Sequence, residues 1–278
     1  MGVPMASRLV RAGYGVRGYD PDPAARERFR EESGADPVES LEAVRADAVV
    51  LMLPDSTVVR QVLLADGLLD VLGAGALVID MSSSEPTETR VLAAEAELRG
   101  VQLVDAPVSG GVRGAVAGTL TIMAGGSDAQ FAACRPLLEA IGGRVLHVGP
   151  TGSGHALKAL NNLLSATTLL ASAEAVRVGR RFGLDPQVML DTINVSTGRS
   201  YSTEVKLPDF VLTGTYAAGF DLRLMVKDVR IAVGLARATG TDLELGEATA
   251  ALWERAEAEL PADADHTEIA RWLDEQVK

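Results

Sequence analysis

The sequence has a single cysteine, Cys134, in 278 residues, only 4% aromatic residues, and fewer cations than anions: 26 Lys and Arg against 38 Asp and Glu, net charge −12. Each shortage excludes something. A lone cysteine rules out an intrachain disulfide and fits a reducing compartment, so a cytoplasmic location is expected. Its neighbours Phe131, Ala132 and Ala133 place it on a buried helix face rather than among nucleophiles. The deficit of positive charge argues against nucleic acid as a partner, because phosphate contacts need a basic patch. No apolar run approaches the ~18–20 residues of a membrane span, so no membrane partner is expected. His147, His155 and His266 lack the spacing of a ligand set, so no metal is expected.

A further shortage lies at the beginning. Met1-Gly2-Val3-Pro4-Met5-Ala6-Ser7-Arg8-Leu9 reads as the second half of a dinucleotide-binding turn. A G-x-G-x-x-G fingerprint needs an apolar strand, two glycines for the tight turn, and a third opening the helix; Gly2 fits only the third. Gly13 to Asp20 then fits a loop and second strand ending in an acid, at the ~20-residue spacing of the ribose-binding carboxylate. Joined at that spacing, Gly2 and Asp20 point to a nucleotide cofactor whose first strand, about a dozen residues with its turn, lies outside this sequence. Arg17 and Arg26 read as ordinary surface charges.

Strand and helix alternate up to about residue 150. Ala48–Leu53, Ala76–Asp80 and Val101–Asp105 are short, nearly continuous apolar runs of the buried parallel type, and Thr119–Ala124 and Arg144–Val148 read as further strands. Helical spacing fills 24–32, 56–64, 85–99 and 128–141. The alternation predicts a doubly wound parallel sheet. After the glycine-dense stretch Gly149 to Gly154 all remaining patterns are helical: a long Ala/Leu-rich run from His155 to Phe182, then 186–193, 220–239, 246–259 and 267–277. The expected organisation is a nucleotide-binding domain over 1–150 and an all-α domain over 151–278. Trp253 and Trp272 fall on helical faces suited to a core or a subunit contact.

In such sheets ligands bind beyond the carboxyl ends of the strands. There the sequence places Leu53-Pro54, Ser82-Ser83-Ser84, and the loop Ala106 to Ala115, in which Ser109-Gly110-Gly111 lets backbone N–H groups converge on an anion without steric cost. Lys158 and Asn162, four apart, share one face of the long helix. Lys158 either snorkels to solvent or faces the cleft, with Asn162 holding both its head and a substrate hydroxyl. Arg199, in a polar loop, is a further candidate for an anionic substrate.

The stretch Asp105-Ala106-Pro107-Val108-Ser109-Gly110-Gly111 with Gly118-Thr119-Leu120, the motif Gly152-x-Gly154-x-x-x-Lys158-x-x-Asn161-Asn162, and Lys227-Asp228 after Phe220-Asp221-Leu222 together resemble the β-hydroxyacid dehydrogenase family. The resemblance runs in order over most of the chain. It implies a Rossmann-type domain, a helical domain joined by the long helix, and packing of helical domains into a homodimer or homotetramer. Residue by residue, it makes Lys158 catalytic with Asn162 its companion. Ser109, Gly110 and Gly111 would hold a substrate carboxylate, and Gly2, Asp20, Leu53, Pro54, Ser83 and Lys227 would line the cofactor. The expected reaction is oxidation of a small 3-hydroxy acid to its semialdehyde or keto acid. Asp20 without a following arginine favours NAD over NADP, because an acid there repels a 2′-phosphate. His155 stands where the family varies, so a packing or loop-capping role is expected of it. The alternatives are an NADPH-dependent reductase of glyoxylate or succinic semialdehyde, and a non-catalytic dinucleotide-binding module; the residues after Asp20 argue against the first, and Lys158 and the net charge against the second.

Overall fold

A computed structural model describes residues 1–276. It divides into two compact units, Met1–Lys158 and Ala159–Lys278.

The first unit opens on helix α1 (Gly2–Arg11), followed by β1 (Arg17–Gly18), α2 (Pro23–Ser33) and β2 (Asp36–Pro37). Asp22 caps α2 by accepting the Ala24 N–H, with Pro23 at the first helical position, where its missing N–H costs nothing. Then come β3 (Ala48–Leu51), α3 (Ser56–Arg60), α4 (Leu68–Val71), β4 (Leu77–Asp80), α5 (Pro86–Glu97), β5 (Gln102–Asp105), β6 (Val108–Ser109), α6 (Gly111–Ala117), β7 (Leu120–Gly125), α7 (Asp128–Ile141) and β8 (Gly142–Gly149). The expected helix over 56–64 is α3 continued by a π turn over Gln61–Ala65.

The period of two along the central strands explains the two covered faces. On β4 and just after it, Leu77, Ile79 and Met81 join Met5 and Leu9 of α1 and Cys134, Leu138 and Ile141 of α7 in one core. Val78, between them, points the other way, into a core with Val59, Leu92 and Ala96. On β5, Val104 and Leu103 divide in the same manner. Burial pushes the Cys134 thiol up to about 11, which leaves a poor nucleophile.

Strands β3, β4 and β5 are parallel, as the alternation of strand and helix predicts. The sheet is not parallel throughout: β7 runs antiparallel to both β5 and β6, with Asp105 registered on Gly125. The chain turns back inside the glycine-rich loop after β5, and a connection built on the seven residues of α6 returns it along the same edge. The strands also fall into two sheets. β1 pairs with β2 by itself, and β3 opens the six-stranded sheet with three of its four residues only half-buried, against complete burial of β4.

Helix α8 (Ser153–Phe182) crosses the division between the units. The second unit continues with α9 (Pro186–Asn194), a π-helix over Ser202–Val211 containing Pro208, α10 (Leu222–Ala238), α11 (Glu244–Glu259) and α12 (Ile269–Glu275). Proline lacks the N–H of a regular α turn, which accounts for the widened winding around it. Ala166, Leu169 and Ala173 of α8 pack with Val226 and Val229 of α10, Trp253 of α11, and Ile269 and Trp272 of α12. Both tryptophans are thus core residues of this unit, and Trp272 Nε1 donates to Glu259 Oε2 at 2.7 Å. The helical pattern expected to reach Val277 extends past the described residues. Among those residues no helix is long and apolar enough to cross a membrane.

Candidate active site

In the first unit, the carboxyl ends of β3, β4 and β5 carry the residues singled out by sequence. Asp55 caps α3 by accepting the Val58 N–H at 3.0 Å, which fixes the Leu53-Pro54 turn from one side. From the other side, the Leu53 N–H donates to Ser82 Oγ at 2.9 Å. Asp80, buried at the end of β4, shapes the serine run: its Oδ1 accepts the Ser82 N–H and its Oδ2 the Ser84 hydroxyl, both at 3.0 Å. Ser83, between these tethered serines, is half-exposed.

Asp105, at the end of β5, is fully buried. It accepts the N–H of Gly152 at 2.7 Å and that of His155 at 2.9 Å, two of the donors that a helix start leaves without an intrahelical partner. The first turn of α8 is therefore capped by a side chain about 50 positions away in sequence. Burial pushes the Asp105 carboxyl above its ordinary value, opposed by His155 and by these N–H bonds. Gly154 permits the approach, because a Cβ there would stand 2.2 Å from the Met123 carbonyl oxygen. The Gly152-x-Gly154 motif is thus a docking feature that sets the position of Lys158, one turn further on and itself buried.

His155 completes the arrangement. Its Nε2–H donates to the Ser82 carbonyl at 3.1 Å, Nδ1 lies 2.8 Å from Thr89 Oγ1, and Asp80 and Asp105 flank the ring at 3.8 and 4.0 Å. This imidazole ties the serine turn after β4 to the start of α8, which is more than the local capping expected from sequence. Spacing alone does not reveal it, since Asp80, Thr89 and His155 converge only through the sheet.

On β6, Ser109 is half-buried and precedes Gly110 (φ +125°) and Gly111 (φ +60°), backbone conformations that side-chain-bearing residues rarely adopt. The loop after β1 places Asp20 on the surface, its Oδ1 accepting the Asp22 N–H at 2.9 Å. Arg26, read from sequence as an ordinary surface charge, holds this loop by donating to the Asp20 carbonyl at 2.7 Å while pairing with Glu39. Gly2 opens α1, with nothing within 4 Å of a would-be Cβ.

In the second unit, buried Asn162 donates to Asp228 Oδ2 at 2.5 Å, and Lys227 Nζ lies 3.6 Å from Asp228 Oδ1. The Lys227-Asp228 motif thus engages the amide that follows the motif lysine by one turn. Arg199 is exposed and paired with Glu204 at 3.4 Å. Sequence reading missed Lys206, a buried lysine on the π-helix.

The family described as the NAD binding domain of 6-phosphogluconate dehydrogenase matches residues 1–149, and the one described as NAD-binding of NADP-dependent 3-hydroxyisobutyrate dehydrogenase matches 152–273. The 2-(hydroxymethyl)glutarate dehydrogenase of Eubacterium barkeri is 40% identical over 84% of this chain and 78% of its own length. The mitochondrial 3-hydroxyisobutyrate dehydrogenase of Mus musculus is 38% identical over 88% and 76%. Among solved structures, the Mycobacterium tuberculosis 3-hydroxyisobutyrate dehydrogenase with L-serine superposes with a TM-score of 0.92 at 35% identity, covering 98% of this chain and 95% of that one. Fold and site together define an NAD(P)-binding oxidoreductase of the 3-hydroxyacid dehydrogenase class. The chain belongs to the β-hydroxyacid dehydrogenase family, with a 3-hydroxyisobutyrate dehydrogenase-like helical domain.

Proposed function

We propose that this protein oxidises a small 3-hydroxy acid with NAD, using Lys158 as the group that takes the hydroxyl proton. The observation that carries the reading is the buried lysine on α8, whose helix start is locked to the strand-end turns by Asp105 and His155. Loss of hydride from the carbinol carbon requires departure of the hydroxyl proton, and a lysine amine within hydrogen-bond reach accepts it. Bound NAD would supply the hydride acceptor. Leu53, Pro54 and Ser83 sit where ligands of open α/β sheets bind, and their turns are held by Ser82 and Asp80. Asp20 supports NAD over NADP, as a carboxylate placed for the adenosine ribose repels a phosphate. Ser109, Gly110 and Gly111 hold the substrate carboxylate, and Asn162, oriented by Asp228, steadies the substrate hydroxyl. The family motif it belongs to assigns Lys227 to the cofactor as well.

An apolar row on one face of α8, with Leu160, Leu164, Val178 and Phe182 exposed, supports packing of helical domains between copies. A panel of 3-hydroxy acids assayed for NADH and NADPH formation tests the reading. Turnover of at least one acid with NAD preferred is expected; turnover only of aldehydes with NADPH contradicts it.

A further inference from the structure

Helix α2 meets β1 where Phe29 lies over Gly18. A Cβ on Gly18 would stand 2.6 Å from the Phe29 ring, so the glycine makes room for the buried phenylalanine. Arg26 comes three residues before Phe29 on the same helix face, in the part of α2 nearest the carboxyl end of β1. Its side chain is only 17% exposed. Nη1 donates to the Asp20 carbonyl at 2.7 Å and to the Pro21 carbonyl at 3.3 Å, while Nη2 lies 3.4 Å from Glu39 Oε2, beyond the end of β2. One side chain therefore joins the segments that follow two parallel strands, the region where ligands of α/β sheets bind.

The loop held in this way carries the acid. Asp20 Oδ1 accepts the Asp22 N–H at 2.9 Å, a local turn that leads into the cap of α2. Among the described residues Oδ2 has no hydrogen-bond partner, and Asp20 is exposed, so one carboxylate oxygen is fixed and the other is open. A surface loop with that single short-range bond would sample many positions, and a ligand would have to order it at a cost in affinity. The two carbonyl bonds from Arg26 remove that freedom beforehand. A guanidinium suits the task, since it is always charged and presents its donors as a rigid fork. With both Nη groups turned to the protein, it is not offered to a 2′-phosphate.

We propose that Arg26 is a positioning residue for nucleotide recognition, which sets the Asp20-Pro21 peptide so that Asp20 Oδ2 is presented to the adenosine ribose before the nucleotide arrives. The proposal rests on the reading of this protein as NAD-binding, with Asp20 at the ribose.

The test is calorimetric titration of the full chain with AMP and with 2′-deoxy-AMP, which needs no turnover. The two differ only in one ribose hydroxyl, so the ratio of their Kd values isolates the contact made by Asp20. Wild type should prefer AMP about 10-fold or more, the scale of a hydrogen bond to a charged group. Arg26→Met should bring the ratio to within about threefold of unity. Arg26→Lys, which keeps a donor for the Asp20 carbonyl, should restore most of it. A general loosening of the structure would weaken both ligands alike and leave the ratio where it was. A ratio that Arg26→Met leaves unmoved and Asp20→Ser abolishes overturns the proposal. A wild-type ratio near unity, or one that Asp20→Ser does not change, defeats the reading of Asp20 at the ribose and the proposal with it.

Discussion

The Asp105 carboxylate and the backbone N–H of His155, 2.9 Å apart, join the end of β5 to the first turn of the helix that carries Lys158. Asp105 accepts two N–H donors with two oxygens. An asparagine offers only one acceptor and turns an NH2 toward the other donor. Asp105→Asn should therefore cost about 1–3 kcal/mol in stability and lower turnover more than it raises KM, because Lys158 loses its fixed height. Denaturant unfolding and steady-state kinetics check both. Gly154→Ala, which drives a methyl group into the Met123 carbonyl, should be worse on the same two measures.

His155 acts through the groups it positions. Replacing it with phenylalanine leaves the Ser82 carbonyl and Thr89 without their ring partner inside a buried network. The expected result is a rise in the KM for the nucleotide, since Ser82 also holds the Leu53 turn, with recovery in His155→Gln, whose amide can donate to the same carbonyl. Parallel effects of the two substitutions on KM and stability alike would reduce His155 to a packing residue.

Asp20 should govern nucleotide choice. Asp20→Ser removes the charge that opposes a 2′-phosphate, so the NAD-to-NADP ratio of kcat/KM is expected to fall by about tenfold or more, one ion-pair-scale effect. The measurement is the ratio within each protein, which cancels differences in active fraction. An unchanged ratio would place cofactor choice elsewhere.

Asp265 gives a pH prediction. Burial opposes its ionisation, but hydrogen bonds from His266 and Thr267 outweigh this and hold its carboxyl well below the ordinary range. A depressed pKa adds stability that is present above the unfolded-state value of about 4 and disappears as pH falls further. The stability difference between wild type and Asp265→Asn should therefore be about 2–3 kcal/mol near pH 6 and shrink below about pH 4. Urea unfolding across that range reads it directly.

The sequence displays the central strands and the long helix because their signals are local and redundant. Ile79 and Val78 alternate between two cores, and the Ala/Leu pattern of α8 persists through 30 residues. The reversal of β7 against β5 is not written in periodicity, since parallel and antiparallel buried strands carry the same apolar run. The π-helix over Ser202–Val211 hides because its wider turn breaks the 3.6-residue pattern. Of the site, Lys158 and Asn162 stand out as polar groups on an apolar helix. Asp105 is visible as part of a motif, but its role in capping α8 depends on a contact across 50 positions. Lys206 looks like any surface lysine until its burial is known.

The central claim is that Lys158 takes the hydroxyl proton as hydride departs. Single-turnover formation of NADH by Lys158→Ala, with substrate and NAD both saturating, tests it with binding set aside. The rate should fall about 10²–10⁴-fold, the usual worth of a positioned acid–base group, with circular dichroism and nucleotide affinity close to wild type. A rate within about threefold of wild type, far short of that range, would contradict the account.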